Sequence, residues 1–279
     1  MTRFLRSLCE VAAAYDAIVL DQWGVLHDGT DPYRDAVSAV RGLHDIGAKL
    51  AVLSNSGKRA GPNADRISGM GFPPEAFATI MTSGEALWRD LAEARLPERA
   101  FLPIERKEGD AAAWADGLDV TLCSDVRDSE AILLMGLPDD STEDTWRDVL
   151  DHVLAAKLPV YCSNPDRASP RSGGKIVLSP GALAHAHGES GGRVRFYGKP
   201  HRPVFEAVRN ALGAERLLMV GDSLEHDIAG AAAAGWDSVL VTGGLYADRF
   251  ASGNPDEVLD QLLDDGRFPP PTYMMEALR

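Results

Sequence analysis

The feature that most restricts this chain is an alternation. Short apolar runs, each closed by a polar residue or glycine, are separated by amphipathic, alanine-rich stretches. Apolar runs this short, bounded by turn residues, read as strands buried on both faces. The stretches between them supply the helical crossovers that parallel strands require. Strands are expected at 17–20 and 50–53, with a helix over 35–46 between them. Near the other end, strands at 217–220 and 239–241 flank an alanine-rich helix over 227–234. The middle repeats the pattern separately, with strands at 131–135, 159–161 and 175–178 and a helix over 142–156. At 279 residues the chain exceeds one average domain. The expected fold is therefore α/β: a Rossmann-like parallel-sheet core over 1–81 and 196–279, with a smaller α/β domain inserted over 82–195. The glycines of 188–192 are expected to be a linker near the return point.

Composition narrows the partners. A formal net charge of −14 repels nucleic-acid phosphates and anionic lipid, so neither is an expected partner. No apolar run approaches the length of a membrane span. Cys9, Cys123 and Cys162 are odd in number and lack CxxC spacing, which argues against a disulfide framework or a zinc site and fits a reducing compartment. Arg3 and Arg6 before Val11 faintly resemble a signal peptide, but Glu10 and Asp16 interrupt the apolar stretch. The expected location is the cytoplasm.

Four segments carry chemistry. Asp21-Gln22-Trp23-Gly24-Val25 follows the first strand, where a carboxylate can attack a ligand held above the sheet. Ser54-Asn55-Ser56 ends the second strand and offers a hydroxyl and backbone N–H groups to phosphoryl oxygens. In Tyr197-Gly198-Lys199-Pro200, a lysine between glycine and proline could neutralise charge on a nucleophile and a transferred group. In Gly221-Asp222-Ser223-Leu224-Glu225-His226-Asp227, two carboxylates five apart suit a magnesium site that needs few protein oxygens. Taken singly, each has an ordinary explanation: a helix cap, a turn, a solvated lysine. The strand-end Asp222 is the hardest to explain that way.

In this order, the four segments resemble the haloacid dehalogenase superfamily across nearly the whole chain. The insertion, with Ser163-Asn164-Pro165-Asp166 inside it, resembles the subgroup that places an α/β cap between the second and third motifs (subfamily IIA). That subgroup includes pyridoxal phosphatase, phosphoglycolate phosphatase and nitrophenylphosphatase-like sugar phosphatases. The resemblance implies a hydrolase of small phosphate monoesters. Asp21 would be the nucleophile that becomes an aspartyl-phosphate, with Ser54 and Asn55 binding the phosphoryl group and Lys199 orienting it. Mg²⁺ would be held by Asp21, the backbone carbonyl of Trp23, Asp222 and the nearby Asp227. The implied partner is a small phosphorylated metabolite, with pairing of two copies through the cap as a further option.

One position departs from the pattern. Phosphatases of this superfamily place an acid–base aspartate two residues after the nucleophile, and this chain has Trp23 there. Indole cannot do acid–base chemistry, so a contribution of about 10²–10⁴ in rate is absent or supplied elsewhere. His27 and Asp28 are candidate substitutes, with a polar turn as the plainer reading. An aromatic residue at this position also resembles the metal-free haloacid dehalogenases, which lack the first acidic residue of the fourth motif; this chain keeps Asp222 and Asp227. A phosphate-ligand binder without turnover is the third alternative. If no acid replaces the missing one, aryl phosphates should turn over faster than alkyl ones.

Among other residues, His185 and His187 stand two apart on an expected helix and so face different ways, as surface or cap-facing groups. Trp88, Trp114, Trp146 and Trp236 read as packing anchors, and Arg167 and Arg171 as substrate-facing or solvated.

Overall fold

Apolar runs that bury both faces build the first sheet. Ala17–Asp21, Leu50–Ser54 and Leu217–Gly221 are buried along their whole length. The computed structural model describes residues 2–170 and 176–279. By internal contacts the chain divides into two units: Met1–Ser54, Gly61–Met81 and Lys199–Arg279 form one, and Asn55–Ala60 with Thr82–Gly198 form the other.

The first unit holds a seven-stranded sheet in the order Arg3–Phe4, Tyr273–Met275, Asp237–Val241, Leu217–Gly221, Ala17–Asp21, Leu50–Ser54, Phe77–Thr82. Its central pairs are parallel, with Leu20 opposite Val220 and Asp21 opposite Leu53. Ile18, Leu20, Val52 and Val220 pack with Val40 and Leu43 of the helix Ala36–Asp45. Leu240 and Met274 pack in a separate cluster with Leu224, Ile228 and Leu259. This is a doubly covered parallel sheet, the arrangement that demands continuous apolar strands. It bears out the α/β, Rossmann-like reading of the sequence.

The second unit carries its own parallel sheet, ordered Arg193–Phe196, Pro159–Cys162, Ala131–Leu134, Ala100–Ile104, Thr121–Leu122. Ile104, Ile132, Leu134, Val160 and Cys162 pack with Val153 of the helix Arg147–Ala156 and Leu183 of the helix Pro180–Glu189. Pro180 sits in the first turn of its helix, where its missing N–H leaves no bond unmade.

Several elements differ from the sequence reading. The expected strand at 175–178 does not join the main sheet; Ile176–Leu178 pairs antiparallel with Ala168–Pro170. The glycines of 188–192 are not a linker: Gly188 lies in the helix, and the rest form the turn into Arg193–Phe196. The expected helix over 142–156 begins as a 3₁₀ turn, Glu143–Trp146, because Thr142 and Thr145 exchange capping bonds there. The expected helix over 227–234 opens with a π-helical turn, Leu224–Ile228, before Ala229–Ala233. Among the described residues no helix is long and apolar enough to cross a membrane. The three cysteines are free, with Cys162 buried and Cys9 exposed.

Candidate active site

The sheet of the first unit brings its polar strand ends together. Asp21 closes its strand, Ser54 ends the neighbouring strand one residue beyond Asp21's partner Leu53, and Asp222 follows Gly221 on the other side. Ligand sites of open parallel sheets lie at this carboxyl edge. Asp21 and Ser54 are both buried.

Asp227 is brought back to this edge by the π-helical turn, a local widening that often accompanies functional sites. The Ser223 N–H donates to Asp227 Oδ2 at 3.1 Å, and the Ser223 hydroxyl accepts from the His226 N–H at 3.1 Å. Lys199 completes the cluster. Its Nζ lies 2.6 Å from Asp21 Oδ1 and 2.6 Å from Asp227 Oδ1. One carboxylate oxygen from each of Asp21, Asp222 and Asp227 falls within 4.8 Å of the others. Asp222 Oδ2 accepts the Leu245 N–H at 2.8 Å, and Asp21 Oδ1 accepts the Gln22 N–H at 2.7 Å.

Electrostatics follow from this crowding. Burial pushes the Asp21 carboxyl up to about 8; Lys199 pulls it down, while Asp227 and Asp222 add to the rise. Asp222 is pushed up to about 6, by burial and then by Asp227. Burial opposes the Lys199 charge, yet Asp21 and Asp227 outweigh it and hold the ammonium above its ordinary range. Fully ionised, three carboxylates against one ammonium leave a net charge of −2. An all-oxygen donor set with that excess charge fits a hard divalent cation.

Three glycines make the geometry feasible, and the sequence alone assigns them no such role. A Cβ on Gly24, whose φ is +79°, would fall 1.7 Å from Asp222 Oδ2. One on Gly244 would meet the same oxygen at 2.4 Å, and one on Gly221 would meet Asp227 Cγ at 2.1 Å. The two metal-type carboxylates are thus seated against bare backbone. In the sequence, Gly221 stands beside Asp222 and Gly24 three residues after Asp21, whereas Gly244 adjoins none of the motif aspartates.

The side chain of Asn55 has its partner within the second unit. The Asn55 amide donates to Asp166 Oδ1 at 2.9 Å, and Asn164 Oδ1 accepts the Asp166 N–H. A Cβ on Gly198 would lie 2.3 Å from Pro165 Cδ and 2.8 Å from Asn55 Oδ1. The Asn164-Pro165-Asp166 turn and Asn55 therefore meet inside the second unit, where the chain enters and leaves it.

His27 and Asp28 form a turn and engage its backbone N–H groups. His27 is fully buried, and its Nδ1 accepts the Gly29 N–H at 3.0 Å. Burial, then Arg66, lower its pKa to about 4, so the ring is neutral at neutral pH. Asp28 Oδ1 accepts the Asp31 and Thr30 N–H groups, each at 2.9 Å, and these bonds hold it ionised, below its usual range. Trp23 is 47% exposed, with its ring against Gly29.

The remaining residues have structural partners. Arg167 pairs with Glu189 at the surface, and Arg171 lies outside the described residues. Trp114 Nε1 donates to the Gly84 carbonyl at 2.9 Å, Trp88 lies under the Arg59 guanidinium, Trp146 packs on the second unit's core, and Trp236 meets Phe205 edge-on. His185 stacks on Phe196, whereas His187 is buried rather than surface-facing.

This constellation defines a class: a parallel α/β enzyme with a strand-end carboxylate, a paired lysine and two further acids. Sequence comparison is specific. Residues 18–115 match the model of the haloacid dehalogenase-like hydrolases, and residues 196–265 match a second, HAD-hydrolase-like model. Human glycerol-3-phosphate phosphatase is 26% identical over 262 residues, covering 84% of this chain and 80% of that protein. A haloacid dehalogenase-like hydrolase from Brucella suis superposes with a TM-score of 0.78 at 28% identity, covering 99% of this chain and 100% of the other. A glycerol phosphate phosphatase from Mycobacterium tuberculosis, solved in complex with magnesium, superposes with a TM-score of 0.70 at 22% identity, covering 90% and 74%. The chain belongs to the haloacid dehalogenase-like hydrolases.

Proposed function

We propose that this protein is a magnesium-dependent phosphatase acting on small phosphate monoesters. The observation that carries the reading is Lys199 Nζ held 2.6 Å from both Asp21 and Asp227, with Asp222 in the same cluster. Phosphatases among the relatives, one of them solved with magnesium, support it.

In this reading an Asp21 carboxylate oxygen forms a bond to phosphorus as the ester P–O bond breaks and the alkoxide or phenolate leaves with the electron pair, taking a proton from water. Water then attacks phosphorus, releasing inorganic phosphate and regenerating Asp21. Lys199 counters the burial that raises the Asp21 carboxyl and balances charge on the transferred group. Ser54 and the backbone at Asn55 bind phosphoryl oxygens. Asp21, the carbonyl of Trp23, Asp222 and Asp227 would hold Mg²⁺, which neutralises phosphoryl charge when bound. Asp222, the fourth-motif acid that the metal-free dehalogenases lack, sits in the cluster with Asp21 and Asp227 and argues against that chemistry. The partner is a small phosphorylated metabolite and the setting is the cytoplasm.

Phosphate release from a panel of phosphate esters, with magnesium and with excess chelator, tests the reading. Magnesium-dependent release from at least one ester is expected. Chloride release from a haloacid in chelator would instead establish the dehalogenase, and tight phosphate-ester binding without product would establish a binder.

A further inference from the structure

Trp23 is exposed yet clamped. A Cβ on Gly29, whose φ is +106°, would fall 2.3 Å from the indole Cη2, so glycine there makes room for the ring. His27 meets the indole edge-on at 5.9 Å between centroids. The Arg66 guanidinium lies 6.0 Å from the indole centroid and donates to the Gly29 carbonyl at 2.5 Å. A solvent-facing side chain with no task is seldom fixed by three neighbours, since ordering it has an entropic cost.

Its position is also informative. Among the described residues, the exposed large apolar side chains are Phe4, Trp23, Ile46, Ile176 and Leu245. Two of these five adjoin the glycines that touch the Asp222 carboxylate: Trp23 precedes Gly24, and Leu245 follows Gly244. Two exposed apolar residues thus adjoin in sequence the glycines that seat Asp222, and position 23 carries no acid.

Resting on the phosphatase reading, we propose that Trp23 determines specificity, its indole stacking against the leaving group and selecting phosphate monoesters of phenols. The chemistry matches the site. When the P–O bond of an aryl ester breaks, the electron pair leaves with a phenolate that takes its proton from water, so no acid is required at position 23. A flat aromatic group also gains from an indole face, about tenfold in affinity.

Steady-state kinetics with magnesium on phenyl phosphate and hexafluoroisopropyl phosphate test this, because the two leaving groups have similar acidity and only one is aromatic. Wild type is expected to favour the phenyl ester through KM. Trp23→Leu is expected to lower the phenyl-to-fluoroalkyl ratio of kcat/KM about tenfold, and Trp23→Phe to retain it. An unchanged ratio in Trp23→Leu overturns the stacking role and leaves the phosphatase reading intact. No magnesium-dependent turnover of the phenyl ester by wild type overturns the proposal, while the phosphatase reading stands or falls on the wider ester panel. A measurement on wild type alone guards against a misfolded variant: calorimetric binding, with magnesium, of phenylphosphonate and cyclohexylphosphonate. Tighter binding of the phenyl compound is expected, and equal affinities overturn the proposal.

Discussion

Lys199 Nζ and Asp21 Oδ1 lie 2.6 Å apart, both nearly shut off from solvent, and the same ammonium reaches Asp227 at 2.6 Å. One cation thus holds together two carboxylates that would otherwise repel. Lys199→Met keeps the length of the side chain and removes the charge. Turnover should fall at least about 10²-fold. The metal-free variant should also unfold at lower temperature, by the equivalent of about 3 kcal/mol for breaking a buried pair. Excess magnesium should recover part of that loss. Melting curves with and without magnesium check it; an unchanged curve would contradict the assigned pairing.

Asp222 and Asp227 should separate by phenotype. Asp222 accepts the Leu245 N–H and, unlike Asp227, does not carry the lysine, so Asp222→Ala should mainly weaken magnesium binding. Asp227 also holds Lys199 and the Ser223 N–H, so Asp227→Ala should mainly lower stability. Magnesium titration calorimetry and thermal melting on both variants decide it, and a stronger magnesium defect in Asp227→Ala would count against the assignment.

Gly24→Ala provides a sharper test of the same carboxylate. The added methyl would fall 1.7 Å from Asp222 Oδ2, at a φ of +79°. Magnesium affinity should drop by at least about tenfold, and positive φ should cost roughly 1 kcal/mol in stability. Wild-type magnesium affinity in this variant would mean that Asp222 is not a ligand.

Glu85 sets a pH dependence in the second unit. It accepts from Arg59 Nε at 2.7 Å, Arg89 Nε at 3.1 Å and the Ala60 N–H at 3.2 Å. Burial alone would raise its pKa, but Arg59, the Ala60 N–H and Arg89 together bring it below 4.5. A carboxylate with a depressed folded pKa stabilises the fold above its unfolded value and loses that contribution as pH falls through the folded one. Glu85→Gln should therefore lose about 2 kcal/mol near neutrality, and the gap from wild type should close below about pH 4.5. Denaturant unfolding at pH 7 and pH 4 measures both, and a gap independent of pH would refute the ionic origin.

Much of the fold was readable because strands buried on both faces must be apolar throughout. The runs at 17–20, 50–53 and 217–220 announced themselves, and so did the polar residues that close them. The very short and the proline-bearing strands were not readable. Arg3–Phe4 is two residues long, and Ala100–Ile104 contains Pro103, which looks like a break until it is paired. The cluster of Asp21, Lys199, Asp222 and Asp227 was legible only as separate motifs. Its assembly depends on the π-helical turn that returns Asp227, and one inserted residue of helical winding leaves no mark in composition. Asn55 read as a phosphate-binding residue from its neighbours, and only the fold shows its amide engaged by Asp166.

Asp21 carries the central claim, and replacing it with asparagine is the most direct measurement. The amide would keep the shape at the end of the strand and remove the nucleophilic oxygen. Phosphate release from an aryl ester should require magnesium in wild type, and Asp21→Asn should bring it to background while the variant retains a cooperative melting transition. Wild-type turnover by Asp21→Asn would contradict the account.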